Sequence, residues 1–164
     1  MSLQPFLETI SKEIKQTAYG ESPIELYEPI EYLMSLGGKR MRPALTLMAA
    51  SMYEIHWQCH AKAALAVEVF HNFTLMHDDI MDAAPLRRGQ LTVHEKWNTN
   101  TAILSGDVML VAAYELLTDI ESSKFHRVIK RFNRTAAEVC EGQQLDMNFA
   151  TRMDVTEDEY INMI

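Results

Sequence analysis

The chain has 164 residues, with 15 Lys+Arg against 23 Asp+Glu, a formal net charge of −8 and 48% hydrophobic residues. That is chain enough to bury the core of one globular domain, and it is too apolar to be disordered. The acidic balance argues against a nucleic-acid binder, which carries a basic surplus.

Glycines number 6 and prolines 5, together about half the usual share, so long elements are expected. Leu3, Phe6, Leu7, Ile10 and Ile14 keep the spacing of one buried helix face. After a break at residues 20–23, Ile24, Tyr27, Ile30 and Leu33 resume that period, with a kink expected at Pro29 and an end at Gly37-Gly38. Pro43 sits near the start of a third helix, where its missing N–H costs little. A fourth is predicted over about residues 61–81, Pro85 and Gly89 mark a loop, and two more helices follow over about 99–118 and 122–148. Thr156 and Glu159 have the form of a capping box opening a last helix with Tyr160, Ile161 and Ile164. No run alternates convincingly enough for a strand, so the fold class predicted is all-α.

Cys59 and Cys140 make neither a disulfide framework nor a metal knuckle, and are expected to be half-buried thiols in a reducing cytosol. The start, Met1 to Pro5, lacks the basic and apolar regions of a signal peptide. Lys62, Glu68, His71 and Asp107 interrupt the most apolar stretches, so no membrane span is expected. The expectation is a cytoplasmic protein that is not integral to a membrane.

The strongest chemical signal is His77-Asp78-Asp79-Ile80-Met81-Asp82. Asp78 and Asp82 are four apart and Asp79 and Asp82 three apart, so on a helix their carboxylates converge near one face. A solvated helix end is the plain explanation. Against it, the cluster closes a very apolar helix, where unpaired carboxylates are costly. Oxygen ligands without a nearby Cys suit Mg²⁺, which shares substrate phosphates with one or two carboxylates. Basic residues bracket the cluster: Lys39, Arg40 and Arg42 follow Gly37-Gly38, and Arg87 and Arg88 follow the aspartates. Each segment alone reads as a surface charge cluster; jointly with the acidic ligands they read better as a diphosphate–Mg²⁺ site. His71, Thr74, Asp78 and Asp82 form one helical stripe, with Phe70 and Phe73 beside it as an aromatic floor or plain core. Gln143 and Asp146, three apart on a later helix, are a weaker candidate pair. The Lys124, Arg127, Arg131 and Arg134 stripe reads as a solvated face.

Together, Gly37-Gly38-Lys39-Arg40-Met41-Arg42-Pro43, His71 with Asp78-Asp79-Ile80-Met81-Asp82, Arg87-Arg88-Gly89, and Gly142-Gln143 with Asp146 resemble the trans-isoprenyl diphosphate synthases, the polyprenyl synthetase family that includes geranylgeranyl and farnesyl diphosphate synthases. The resemblance runs from about residue 20 onward. It implies an all-α helical bundle with a central cavity, usually a homodimer, that condenses isopentenyl diphosphate with an allylic diphosphate by Mg²⁺-assisted ionisation. By resemblance, Asp78, Asp79 and Asp82 are the first aspartate-rich motif, binding Mg²⁺ and the allylic diphosphate. Arg87 contacts that diphosphate, Lys39, Arg42, His71 and Arg88 hold isopentenyl diphosphate, and Gln143 and Asp146 line the allylic side. Phe73, with Phe70 below it, stands where the family limits chain length, which points to C15–C20 products with C20 favoured. The family's second aspartate-rich motif and its preceding Lys-Thr pair have no counterpart up to Ile164. Residues 1–164 are therefore expected to be a partial domain, cut before that motif and inactive alone.

Four other readings compete for these residues. A non-catalytic prenyl-synthase subunit or interaction module conflicts with the intact first motif. A di-iron bundle could use Glu68 and His71, a Glu-x-x-His pair, but lacks a second copy. A His-Asp phosphohydrolase leaves Asp79, Asp82 and the basic loops unexplained. A terpene cyclase would not be expected to keep the Gly37–Pro43 segment.

Overall fold

The computed structural model describes residues 2–164; Met1, and with it part of the reading of the extreme N-terminus, lies outside them. The chain divides into two compact units at Ile120–Glu121.

The first unit is built on α4, Ala61–Met81. Around it stand α1 (Gln4–Gln16), α2 (Ile24–Ser35), α3 (Met41–Ser51), a 3-10 turn at Trp57–His60, the short α5 (Val93–Lys96) and α6 (Thr99–Leu117). Its most extensive packing is with α6. Small residues set that spacing: Ala64 and Ala66 on α4, and Ala102, Gly106 and Ala113 on α6, are all buried. At Gly106 a Cβ would fall 2.3 Å from His77 Nε2, so glycine leaves the room that the His77 ring occupies against α6. Phe6 and Ile10 of α1 close the other side with Ala44, Leu47 and Ala64, capped by Trp57 at 4.6 Å from the Phe6 ring. The predicted helices are present, with α4 at its predicted bounds. Pro29 is buried inside α2, which runs through it to Ser35, just short of the Gly37-Gly38 end expected.

Two expectations are corrected. Leu86–Arg87 and Gln90–Leu91 pair as a two-residue antiparallel hairpin where no strand was expected; so short a ladder carries no alternation to read. Arg88 and Gly89 form its turn with φ of 54° and 79°, the double positive φ that matches strand twist. Cys59 and Cys140 are exposed rather than half-buried, because one lies on the 3-10 turn and the other on a helix with no buried residue. By length and composition alone α6, with Asp107 and Glu115 as its only charged residues and a mean hydropathy of 1.2, is long and apolar enough to cross a membrane, a test that the core helix of a soluble protein also passes. Its buried face packs against α4.

The second unit is α7 (Ser122–Phe149) and α8 (Glu157–Met163). Lys124, Arg127, Arg131 and Arg134 are exposed along α7, as expected. The capping box of α8 is formed: Thr156 Oγ1 accepts from Glu159 N, and the Glu159 carboxylate accepts from Thr156 N. Arg152 reaches Glu159 at 2.8 Å and, with the Thr156 donors, holds its carboxyl down at about 2. α8 ends against α7 at Gly142, where a Cβ would lie 2.8 Å from the Met163 carbonyl oxygen.

Candidate functional site

The acidic cluster ends α4. Asp78 is half-buried, Asp79 is 3% exposed, and Asp82 is the exposed residue that closes the helix, its N–H donating to the Asp78 carbonyl. Ala83, at φ 48°, turns the chain, and Ala84 N–H returns to the Asp79 carbonyl at 2.9 Å. Buried Thr92 then sews the hairpin back to this turn through Oγ1 to the Ala84 carbonyl, 2.8 Å. That stitch aims Arg87 at the aspartates. Its Nε donates to Asp79 Oδ2 at 2.8 Å and its Nη2 lies 2.7 Å from Asp79 Oδ1, a two-bond fork, while Nη2 is 3.6 Å from Asp78 Oδ2. Such forks fix orientation as well as charge. The Asp79 hydrogen bond is the main cause that raises the Arg87 pKa.

The three aspartates are thus not equivalent. Both Asp79 oxygens are engaged in a buried pair, whereas Asp78, half-buried with Arg87 Nη2 at 3.6 Å, and the exposed Asp82 lie four residues apart, one turn of helix. Two such oxygen donors on one helix face suit Mg²⁺.

A basic group lies about two turns earlier along α4, at His71. Arg42 Nη1 is 3.3 Å from His71 Nε2. A guanidinium only donates, so Nε2 accepts and the ring is neutral with its proton on Nδ1. Burial first, and Arg42 second, hold His71 below its usual value, with Arg88 and Arg87 adding smaller repulsions. Arg88, at φ 54°, donates to the Gly37 carbonyl, and a Cβ on Gly38 would meet its guanidinium at 2.9 Å. The hairpin therefore sends two consecutive arginines to different places: Arg87 to the aspartates, Arg88 to the Gly37-Gly38 loop. Lys39 is exposed on that loop. Phe70 and Phe73, 5.7 Å apart, continue through Phe73 to His77 at 4.8 Å as an aromatic column along α4. Gln143 is half-buried and Asp146 exposed, both on α7 in the second unit. A groove of about 390 Å³ is lined by residues of α1 and α2 with Gly37, Gly38 and Arg40, and by none of the aspartates.

Residues 23–164 match the sequence pattern described as polyprenyl synthetase. The chain belongs to the polyprenyl synthetase family. The geranylgeranyl diphosphate synthase of Methanosarcina mazei is 47% identical over 145 residues, 87% of this chain and 44% of that protein. A crystal structure of a geranylgeranyl pyrophosphate synthase superposes with a TM-score of 0.96 at 54% identity, covering 100% of this chain and 50% of that one. The polyprenyl synthase from Caulobacter crescentus, crystallised with calcium and isoprenyl diphosphate, has a TM-score of 0.84 at 27% identity, covering 99% and 49%. The chain spans about half the length of the curated relatives it matches.

What sequence reasoning missed in this polyprenyl synthetase chain is how the basic loop is held. Arg40, at φ 50°, turns inward: its guanidinium pairs with Glu68 and donates to the Met34 carbonyl at 2.7 Å. Asn72 Nδ2 donates to the Glu68 carboxylate at 3.0 Å and to its carbonyl at 2.8 Å. Glu68 is 2% exposed, with Oε1 shared by Arg40 and Asn72, so its carboxylate serves the core rather than a Glu-x-x-His metal pair. The signal was available, since a carboxylate amid the apolar residues of α4 requires a buried partner. Tyr19, pushed up to about 12 chiefly by desolvation, also senses the charges of Arg40 and Glu68.

Glu68→Ala strands the Arg40 charge and is expected to destabilise the fold by about 3–5 kcal/mol in denaturant unfolding. His71 is expected to titrate below 6.5 by NMR, and Arg42→Ala should raise its midpoint. As pH falls through 6.5 the unfolded chain takes up this proton before the folded one, so His71 removes stability on acidification and His71→Gln should flatten that slope.

Proposed function

We propose that the complete protein is a short-chain trans-prenyltransferase that condenses isopentenyl diphosphate with an allylic diphosphate, with a C20 product favoured. The carrying observation is the Arg87–Asp79 fork, which holds a guanidinium against the aspartates that end α4, the same helix whose His71 contacts Arg42. Acidic metal ligands and phosphate-binding cations thus stand side by side, the arrangement a magnesium diphosphate requires. The relatives' names, and the calcium and isoprenyl diphosphate in the Caulobacter crescentus structure, support the same substrate class.

In this reading Asp78 and Asp82 would hold Mg²⁺, which would supply positive charge against that growing on the leaving diphosphate. Asp79 is a positioning residue: it fixes the Arg87 guanidinium, which binds the allylic diphosphate and stabilises it as the C–O bond breaks. Lys39, Arg42 and Arg88 bind isopentenyl diphosphate, and neutral His71 accepts from Arg42, so its orientation is set before substrate arrives. The isopentenyl double bond attacks the allylic cation, and the released diphosphate takes up the proton lost at the end. Gln143 and Asp146 belong to the allylic side, and Phe73 and Phe70 limit product length. The enzyme acts as a homodimer in the cytoplasm.

The test is condensation of radiolabelled isopentenyl diphosphate with farnesyl diphosphate by the full-length protein. C20 product that requires Mg²⁺ is expected, residues 1–164 alone should give none, and Asp82→Asn should lower kcat/KM on the order of 100-fold. A folded full-length protein without turnover would instead be a non-catalytic subunit. Phe73→Ala is expected to shift the product distribution, read by chromatography of the dephosphorylated alcohols, beyond C20; an unchanged distribution removes Phe73 from length control.

A further inference from the structure

The connection from α3 to α4 carries donors that the prenyl-transfer reading does not use. Glu54 lies three residues past the end of α3, and Cys59 and His60 close the 3-10 turn that leads into Ala61. A carboxylate oxygen of Glu54, the Cys59 Sγ and a ring nitrogen of His60 all lie within 4.8 Å of one another. His60 Nε2 and Glu54 Oε2 are 2.7 Å apart. Backbone bonds hold the frame: Glu54 N–H donates to the Ala50 carbonyl at 3.0 Å and Cys59 N–H to the His56 carbonyl at 3.1 Å. Trp57, in the same turn, is packed on Phe6. Cys59 and Glu54 are exposed and His60 is partly so, which leaves an approach from solvent.

We propose that Glu54, Cys59 and His60 form a binding site for a tetrahedral transition-metal ion of the Zn²⁺ type, with water as the fourth ligand. The donor set selects the ion. Thiolate and imidazole suit Zn²⁺, whereas Mg²⁺ and Ca²⁺ take oxygen ligands, so this site is chemically separate from the aspartates. The size fits as well. Metal–ligand bonds of about 2.0–2.3 Å hold tetrahedral donors about 3.3–3.7 Å apart. The sulfur therefore closes in slightly, and the Glu54–His60 contact opens by roughly half an ångström. Binding releases the Cys59 thiol proton to solvent. From His60 to Asp78 is about 27 Å along α4, so the ion touches no part of the diphosphate site. It would clip the end of α3 to the start of α4, bracing from the far side the two helices that carry Arg42 and His71.

Both cysteines of the chain are exposed, which supplies an internal control. The full-length protein is alkylated with iodoacetamide with and without Zn²⁺, and the rates at Cys59 and Cys140 are read by peptide mass spectrometry. Zn²⁺ is expected to slow modification of Cys59 tenfold or more, to leave Cys140 unchanged, and to lose its effect in Glu54→Gln and His60→Gln. Co²⁺ in place of Zn²⁺ should give a sulfur-to-metal charge-transfer band that is absent from Cys59→Ser. Unchanged reactivity of Cys59, equal slowing at both cysteines, or protection that persists in His60→Gln overturns the proposal.

Discussion

The buried pair of Arg40 and Glu68 is the contact on which the rest of the site hangs. A charged carboxylate in the middle of an apolar helix is expensive, and it is tolerated here because one guanidinium and one amide engage it. Reaching it forces Arg40 into a left-handed conformation that costs about 1–2 kcal/mol. With Arg40 pinned inward, its neighbour Lys39 is left on the surface and Arg42 enters α3 facing His71. The same loop offers the Gly37 carbonyl to Arg88. Arg88 sits at the hairpin turn, and the hairpin in turn delivers Arg87 to Asp79. One ion pair in the core thus sets the position of four basic side chains outside it.

The balance of charge looks different at this scale than over the whole chain. A net charge of −8 coexists with a local cluster of cations. Arg88 shows its effect on itself and on its neighbours: burial, and then Arg40, lower its pKa, and both Arg87 and Arg88 disfavour protonation of His71. Asp79 relieves part of that crowding by pairing with Arg87. The remaining repulsion is what an anionic ligand would remove.

The helices were legible because each buries one face, and periodicity records that directly. α4 was read at its true bounds since the Asp cluster and Pro85 close it chemically. The hairpin was not legible: two residues per strand give no period, and its stability comes from Thr92 and the Arg88-Gly89 turn. In the site, sequence spacing placed Asp78, Asp79 and Asp82 together but could not tell that Asp79 faces the core, because that depends on where Arg87 arrives from a different element. The partner of Glu68 was hidden for a similar reason. Its pairing with Arg40, 28 residues earlier, is invisible to any rule confined to one helix. Burial of Cys140 was overestimated because α7 buries nothing within the structure described, and that of Cys59 because the 3-10 turn carrying it lies at the surface.

The aromatic column of α4 has a geometric corollary. The helix is unbroken from Ala61 to Met81, so side chains beneath Asp78 recur at intervals of one turn, 5.4 Å. That interval is close to the length of one isoprene unit. On the proposed function, moving a bulky side chain from position 73 to 70 or 69 does not tune the depth available to a growing chain continuously. It steps it, one unit per turn, so that the regularity of a single helix converts a point substitution into a whole-number change in product.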